Sequence, residues 1–82
     1  MQSKRKYYGY ELRRRRKVVY YGITDDPNRR EEEHKEDKRF TSINIKTRAL
    51  TEKSAEKWEE NRLKSYRNNH GGRNPRYNET KK

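Results

Sequence analysis

Cysteine is absent from the chain, which excludes disulfides and thiolate metal sites. Histidine is nearly so: His34 and His70 are the only two, and a histidine-rich metal centre is excluded with them. Long apolar runs are missing as well. None approaches the roughly 20 residues needed to cross a bilayer, and no apolar signal-peptide segment follows the basic N-terminus. No membrane partner is expected, and the cytoplasm is the default compartment. Hydrophobic residues make up only 24% of 82 residues and charged ones 45%, so any core must be thin. A chain of this size buries a small share of its surface, which makes marginal stability the expectation.

What is present is positive charge and tyrosine. The net charge is +11, carried mostly at the two ends. Residues 1–24 hold eight Lys or Arg against one acid and residues 61–82 hold seven against one, while the middle is nearly balanced. Basic ends around a mixed centre predict a surface that faces a polyanion. By composition alone, a basic RNA binder of the ribosomal kind is favoured over an enzyme. High charge with few aliphatics would also suit a disordered chain. Against that, the apolar residues are patterned, and seven tyrosines add area that can be buried.

Tyr8, Tyr10 and Leu12 alternate, as do Val18, Tyr20 and Gly22, with Val19, Tyr21 and Ile23 on the opposite face. This predicts two strands joined through Arg13–Arg16 into a β-hairpin whose turn has neither Gly nor Asn. A loop over Arg13–Lys17 would set Leu12 opposite Val18 and Tyr10 opposite Tyr20. Asp26-Pro27 is a helix start, with Asp as N-cap and Pro at the first helical position. That helix should run to about Asp37, although it contains no aliphatic or aromatic residue. Ile43 and Ile45 alternate with polar residues within Phe40–Leu50, a third strand. Thr51 can cap a second helix from Glu52 to about Tyr66, with Ala55, Trp58, Leu63 and Tyr66 as its apolar stripe. Residues 68–74 read as a loop. The order is ββαβα, an α+β fold with helices packed on a three-stranded antiparallel sheet. One domain covers residues 1–82, with an ordered core of about 7–78 between basic tails.

Several spaced residues together resemble the GIY-YIG nuclease family. Tyr8-Gly9-Tyr10 is similar to the first half of its signature, with Gly9 where the family carries an aliphatic residue. Tyr20-Tyr21-Gly22 is similar to the second half, ten residues further on. Gly22-Ile23-Thr24-Asp25-Asp26-Pro27, followed by Arg29-Arg30 and His34, looks like the small members of the family. The resemblance covers roughly residues 7–78. It implies catalytic roles for Tyr10, Tyr20, Arg30 and His34, a metal-ligand role for Glu59 four residues after Ala55, and a role near the active site for Asn78. Gly22 is then structural within the motif. Position 31 is Glu where relatives carry an apolar residue that packs the helix on the sheet.

The implied activity is hydrolysis of DNA phosphodiesters, with RNA also a conceivable substrate. That chemistry builds charge on the phosphoryl and leaving oxygens, and a divalent cation at Glu59 would neutralise it. Oxygen ligands without thiols favour Mg²⁺ or Mn²⁺. Arg30 would hold the phosphate through several donors and stays charged at any working pH. Tyr10 would orient or deprotonate water, with Tyr20 in the same hydrogen-bond network. Arg13, Arg14, Arg15, Arg16, Lys17 and Arg29 would contact backbone phosphates rather than read bases. Read singly, the tyrosines are strand residues filling a small core, Arg30 is one phosphate contact among many, and Glu59 needs only an arginine partner. The functional alternative is a basic nucleic-acid-binding module of the same fold without catalysis. Oligomeric state is open: one active site cuts one strand, so a monomer nicks, and a double-strand break takes two domains. A place within a repair or mobile-element system would suit either.

Overall fold

The computed structural model describes residues 5–78, so the basic tails anticipated at the extremities lie largely outside the described residues. The elements are β1 (Tyr8–Arg14), β2 (Lys17–Thr24), α1 (Pro27–Lys35), β3 (Ser42–Ile45) and α2 (Glu52–Asn69), followed by a short 3₁₀ turn at Arg76–Asn78. The sheet is antiparallel in the order β2-β1-β3, which makes this an α+β fold in the ββαβα order. β1 is central, paired along both edges, and its Gly9–Leu12 segment is buried throughout: Tyr10 and Leu12 enter the core cluster, while on the other face Gly9 meets Trp58 and Glu11 holds Arg13.

The hairpin is tighter than a loop over Arg13–Lys17 would be. Arg14 pairs with Lys17, leaving Arg15 and Arg16 as the turn, with Arg15 at φ 62. An arginine therefore occupies the left-handed region where Gly or Asn is usual. Its N–H donates to Thr41 Oγ1 at 3.1 Å, and Thr41 in turn donates to the Arg13 carbonyl, which ties the turn to the strand opposite. Leu12 consequently faces Tyr20 and Tyr10 faces Gly22. The displacement is two residues, and a two-residue shift preserves the faces because the pleat has a period of two. The exception is Val19, expected on the opposite face with Tyr21: a bulge between Leu12 and Arg13 leaves it without a partner in the pairing and packs it in the cluster of Tyr10 and Leu12. Tyr20, Phe40, Ile43 and Tyr77 pack around these three.

The helices are held by few residues. Asp26 caps α1 by accepting from Arg29 N–H, with Pro27 opening the helix, and α1 ends two residues short of Asp37. His34 is the one residue it buries. α2 is capped by Thr51, whose side chain accepts from Ser54 N–H, and it runs one turn past Tyr66. It stops because Gly71 and Gly72 adopt φ 64 and 86, and Gly72 N–H returns to the Arg67 carbonyl at 2.8 Å, closing a Schellman cap. On the sheet, α2 lays Trp58 against β1 at Gly9 and against Tyr21 edge-on. Position 9 has room only for glycine, because ring carbons of Trp58 stand where a Cβ would be. Among the described residues, no helix is long and apolar enough to cross a membrane.

Candidate functional site

Strand pairing and one glycine assemble the cluster. Tyr10 and Tyr20 are diagonal neighbours on one face of the hairpin, and their ring centroids lie 6.1 Å apart. Both rings lean over Gly22. A Cβ there would stand 2.6 Å from Tyr10 Oη and 2.7 Å from Tyr20 Cε2, so the glycine of the second triplet is the floor of the cluster. α1 closes it from above. His34 lies 4.9 Å from the Tyr20 ring centroid and 5.8 Å from that of Tyr10, and its Nε2 is 2.7 Å from Tyr10 Oη.

The cluster has an inner and an outer part. Tyr10 is fully buried, and His34 is 5% exposed. Burial and the adjoining Tyr20 phenol push the Tyr10 hydroxyl well above the ordinary phenol range, and the Arg30 guanidinium nearby offsets only part of this. Burial, then the positive charges of Lys38 and Arg30, lower His34 to about 4, so its ring is neutral at physiological pH. A neutral imidazole has one donor and one acceptor nitrogen, so Tyr10 and His34 share one proton between Oη and Nε2. From this position Tyr10 can hold the His34 ring against Tyr20, but it meets no solvent water.

Tyr20, Arg30 and Glu59 form the outer part, each half-buried. Burial raises the Tyr20 phenol, and the negative charge of Glu59 raises it further, while Arg30 pulls it down. Two opposite charges, from α1 and α2, therefore act on one hydroxyl of β2. Arg30 donates to Glu33 at 2.9 Å through one nitrogen, which leaves its remaining donors available. Glu59 is flanked in its i,i+4 row by buried Ala55 and half-buried Leu63, whereas Glu60 is exposed. Burial, and then Glu56 one turn back, raise its carboxyl above the usual range.

Among the described residues Glu59 has neither an ion-pair partner nor a hydrogen bond, in a chain with 24 Lys and Arg. An unpartnered, partly desolvated carboxylate is costly, and a divalent cation would relieve that cost. No group of three or more His, Asp or Glu stands together among the described residues. A cation at Glu59 would accordingly take most of its shell from water and phosphate, which is the usual habit of Mg²⁺.

The remaining sequence-derived residues sit elsewhere. Asn78 lies at the free edge of β2, where its Oδ1 accepts from Tyr21 N–H at 2.8 Å and its Nδ2 donates to the Tyr21 carbonyl at 3.1 Å. It replaces a strand along that edge and fixes the backbone beside Tyr20. Arg13 is engaged by buried Glu11 at 2.6 Å, and Arg29 reaches Asp25 and Glu33 at 3.5 and 3.7 Å. Arg15, Arg16 and Lys17 stand exposed at the turn, with Arg14 half-buried. Sequence reasoning missed Lys38. Its ammonium lies 5.2 Å from the Tyr20 ring centroid and 5.9 Å from that of Tyr77, and its N–H donates to the His34 carbonyl. A lysine beyond the end of a helix carries no pattern that would have singled it out. Comparison with known protein families, with curated proteins and with solved structures gives no match, so the likeness to the GIY-YIG nucleases rests on the residues themselves.

Proposed function

We propose that the chain is a GIY-YIG-type endonuclease that hydrolyses DNA phosphodiesters with a divalent metal, Mg²⁺ or Mn²⁺. The observation that supports this reading most is convergence. Arg30 of α1 and the unpaired carboxylate of Glu59 on α2, widely separated along the chain, both act through their charge on the Tyr20 phenol of β2. A folded basic protein needs no such meeting, because an arginine beside Glu59 would satisfy the carboxylate more simply.

In this reading Arg30 holds a non-bridging phosphate oxygen with donors not taken by Glu33. The half-buried Tyr20 phenol orients the attacking water, with its proton retained at neutral pH. Neutral His34 and buried Tyr10 position the Tyr20 ring, and Asn78 fixes the strand beneath it. Glu59 would hold the metal, which supplies charge neutralisation at the phosphoryl and leaving oxygens when bound. Orientation of the water is therefore assigned to the accessible phenol of Tyr20, with Tyr10 as a positioning residue.

One observation favours a binding module without catalysis: the Tyr10–His34 pair is sealed from solvent, as a purely structural pair would be. A plasmid-nicking assay separates the two readings. Cleavage that needs Mg²⁺ or Mn²⁺, stops with chelator and disappears in Glu59→Gln supports the nuclease. Retention of the plasmid in gel shifts with no nicking under any metal would establish the binding module.

A further inference from the structure

Away from the Tyr10–Tyr20 cluster, the hairpin-turn end of the molecule gathers arginines around an aromatic stack. The Schellman cap at the end of α2 places His70 directly over Tyr66. Their rings are parallel within 5°, with centroids 3.7 Å apart. His70 Nδ1 lies 2.8 Å from the Tyr66 carbonyl, and a carbonyl only accepts, so the proton is on Nδ1 and the ring is locked in place. Tyr66 is itself braced edge-on by Tyr21. The outer side of His70 is exposed.

Tyr66 lines three clefts at this end. One of about 350 Å³ runs between the β-hairpin and α2, with Arg16, Lys17 and Arg62 on its walls. A larger one of about 690 Å³ passes along the turn to Arg76 and Tyr77. The third lies beside His70 and Arg73. Arg16, Lys17, Arg62, Arg73 and Arg76 are all exposed and make no ion pair among the described residues. Tyr77, at the far end of the larger cleft, shares the Lys38 ammonium with Tyr20. A basic track with aromatic steps thus runs from His70 towards the candidate site.

We propose that this track binds a single-stranded nucleic-acid segment, with one base stacked on the outer face of His70 and the backbone phosphates on the surrounding arginines. Charge alone would suit any polyanion, including a duplex. The locked ring selects further, because a duplex keeps its base faces stacked inside while a single strand offers them to an aromatic platform. The proposal rests on the nucleic-acid-binding part of the functional reading and specifies the substrate as a strand unpaired beside the site.

The test is binding in EDTA, where no metal-dependent cleavage can occur. The probes are single-stranded DNA and RNA of roughly 12 nucleotides carrying one 2-aminopurine, and the corresponding DNA duplex. The wild-type chain should bind the DNA or RNA single strand ahead of the duplex and quench the 2-aminopurine by stacking. His70→Ala and His70→Gln should each weaken single-strand binding about five- to tenfold and abolish the quench, with the duplex unaffected. His70→Phe keeps a ring and should retain both signals. Preference for the duplex, or an equal response of strand and duplex to loss of His70, would overturn the proposal alone. No binding to any probe would overturn it together with the nucleic-acid reading.

Discussion

Gly22→Ala tests the packing of the cluster most directly. The added methyl would stand 2.6 Å from Tyr10 Oη, 2.7 Å from Tyr20 Cε2 and 2.8 Å from Tyr10 Cζ. Ordinary contact needs about 3.5 Å or more, so both rings must move by about 1 Å. Tyr10 is fully buried and has no free space to enter, and its hydroxyl would be pulled away from His34 Nε2, now at 2.7 Å. Overpacking of this kind costs about 1–3 kcal/mol. Losing the buried hydrogen bond adds about 1 kcal/mol. A total near 2–4 kcal/mol is a large fraction of what so small a domain holds, and it corresponds to a fall in Tm on the order of 10–20 °C. Thermal melts by circular dichroism at pH 7 would measure it. Tyr10→Phe in the same background removes the nearest clashing atom, so the double variant should melt higher than additivity requires. An unchanged melting temperature in Gly22→Ala would refute the packing argument, and strictly additive costs would show that Tyr10 Oη is not what the methyl meets.

Acid should destabilise the protein through His34. Its folded value of about 4 lies below the ordinary 6.5, so between these the unfolded chain binds the extra proton and stability falls as pH drops through that window. Glu59 acts oppositely, since its raised carboxyl binds a proton in the folded state first; chemical denaturation of wild type and His34→Gln across pH 4–7 should show a steeper slope in the wild type. Arg15→Gly should raise Tm by a few degrees, because glycine relieves about 1 kcal/mol of left-handed strain at φ 62; a lower Tm would mean that the arginine contributes contacts outweighing that strain. Arg30→Lys should lose most nicking with little change in DNA binding, since lysine keeps the charge without the planar fork, and equal loss of both would reduce Arg30 to an ordinary phosphate contact. Affinity for a short duplex should fall steeply with salt as condensed counterions are displaced, and a flat titration would remove the basic-surface argument.

The element order was legible because it depends on local signals: alternation in the hairpin, Asp26-Pro27 and Thr51 as caps, and a stripe of period 3.6 in α2. The register was not, because the turn relies on Arg15 at positive φ and on a hydrogen bond that its N–H donates to Thr41, a residue 26 positions away. Tyr10 and Tyr20 nevertheless fell on the anticipated face, since an error of two residues in a pleated strand leaves its faces unchanged. Gly9 looked like a defect in the resemblance because its neighbour, the Trp58 ring, lies 49 positions further along the chain. The absence of apolar residues from α1 concealed its anchor in the same way: His34 is the residue it buries, so the packing that Glu31 cannot provide comes from a ring with chemistry of its own.

The scarcity of apolar residues therefore has a consequence for function. Tyr10 belongs to the core cluster and Tyr20 packs against it, while His34 attaches α1 to both. In a larger enzyme the core lies beneath the site, and the two can be altered separately. Here the inner side chains of the candidate site fill the core itself, and substitution at Tyr10, Gly22 or His34 must change stability together with any activity of the kind proposed. Arg30 and Glu59 stand at the margin of that packing and interact with Tyr20 mainly through charge. They are the positions at which loss of turnover with an unchanged melting temperature would report chemistry rather than folding.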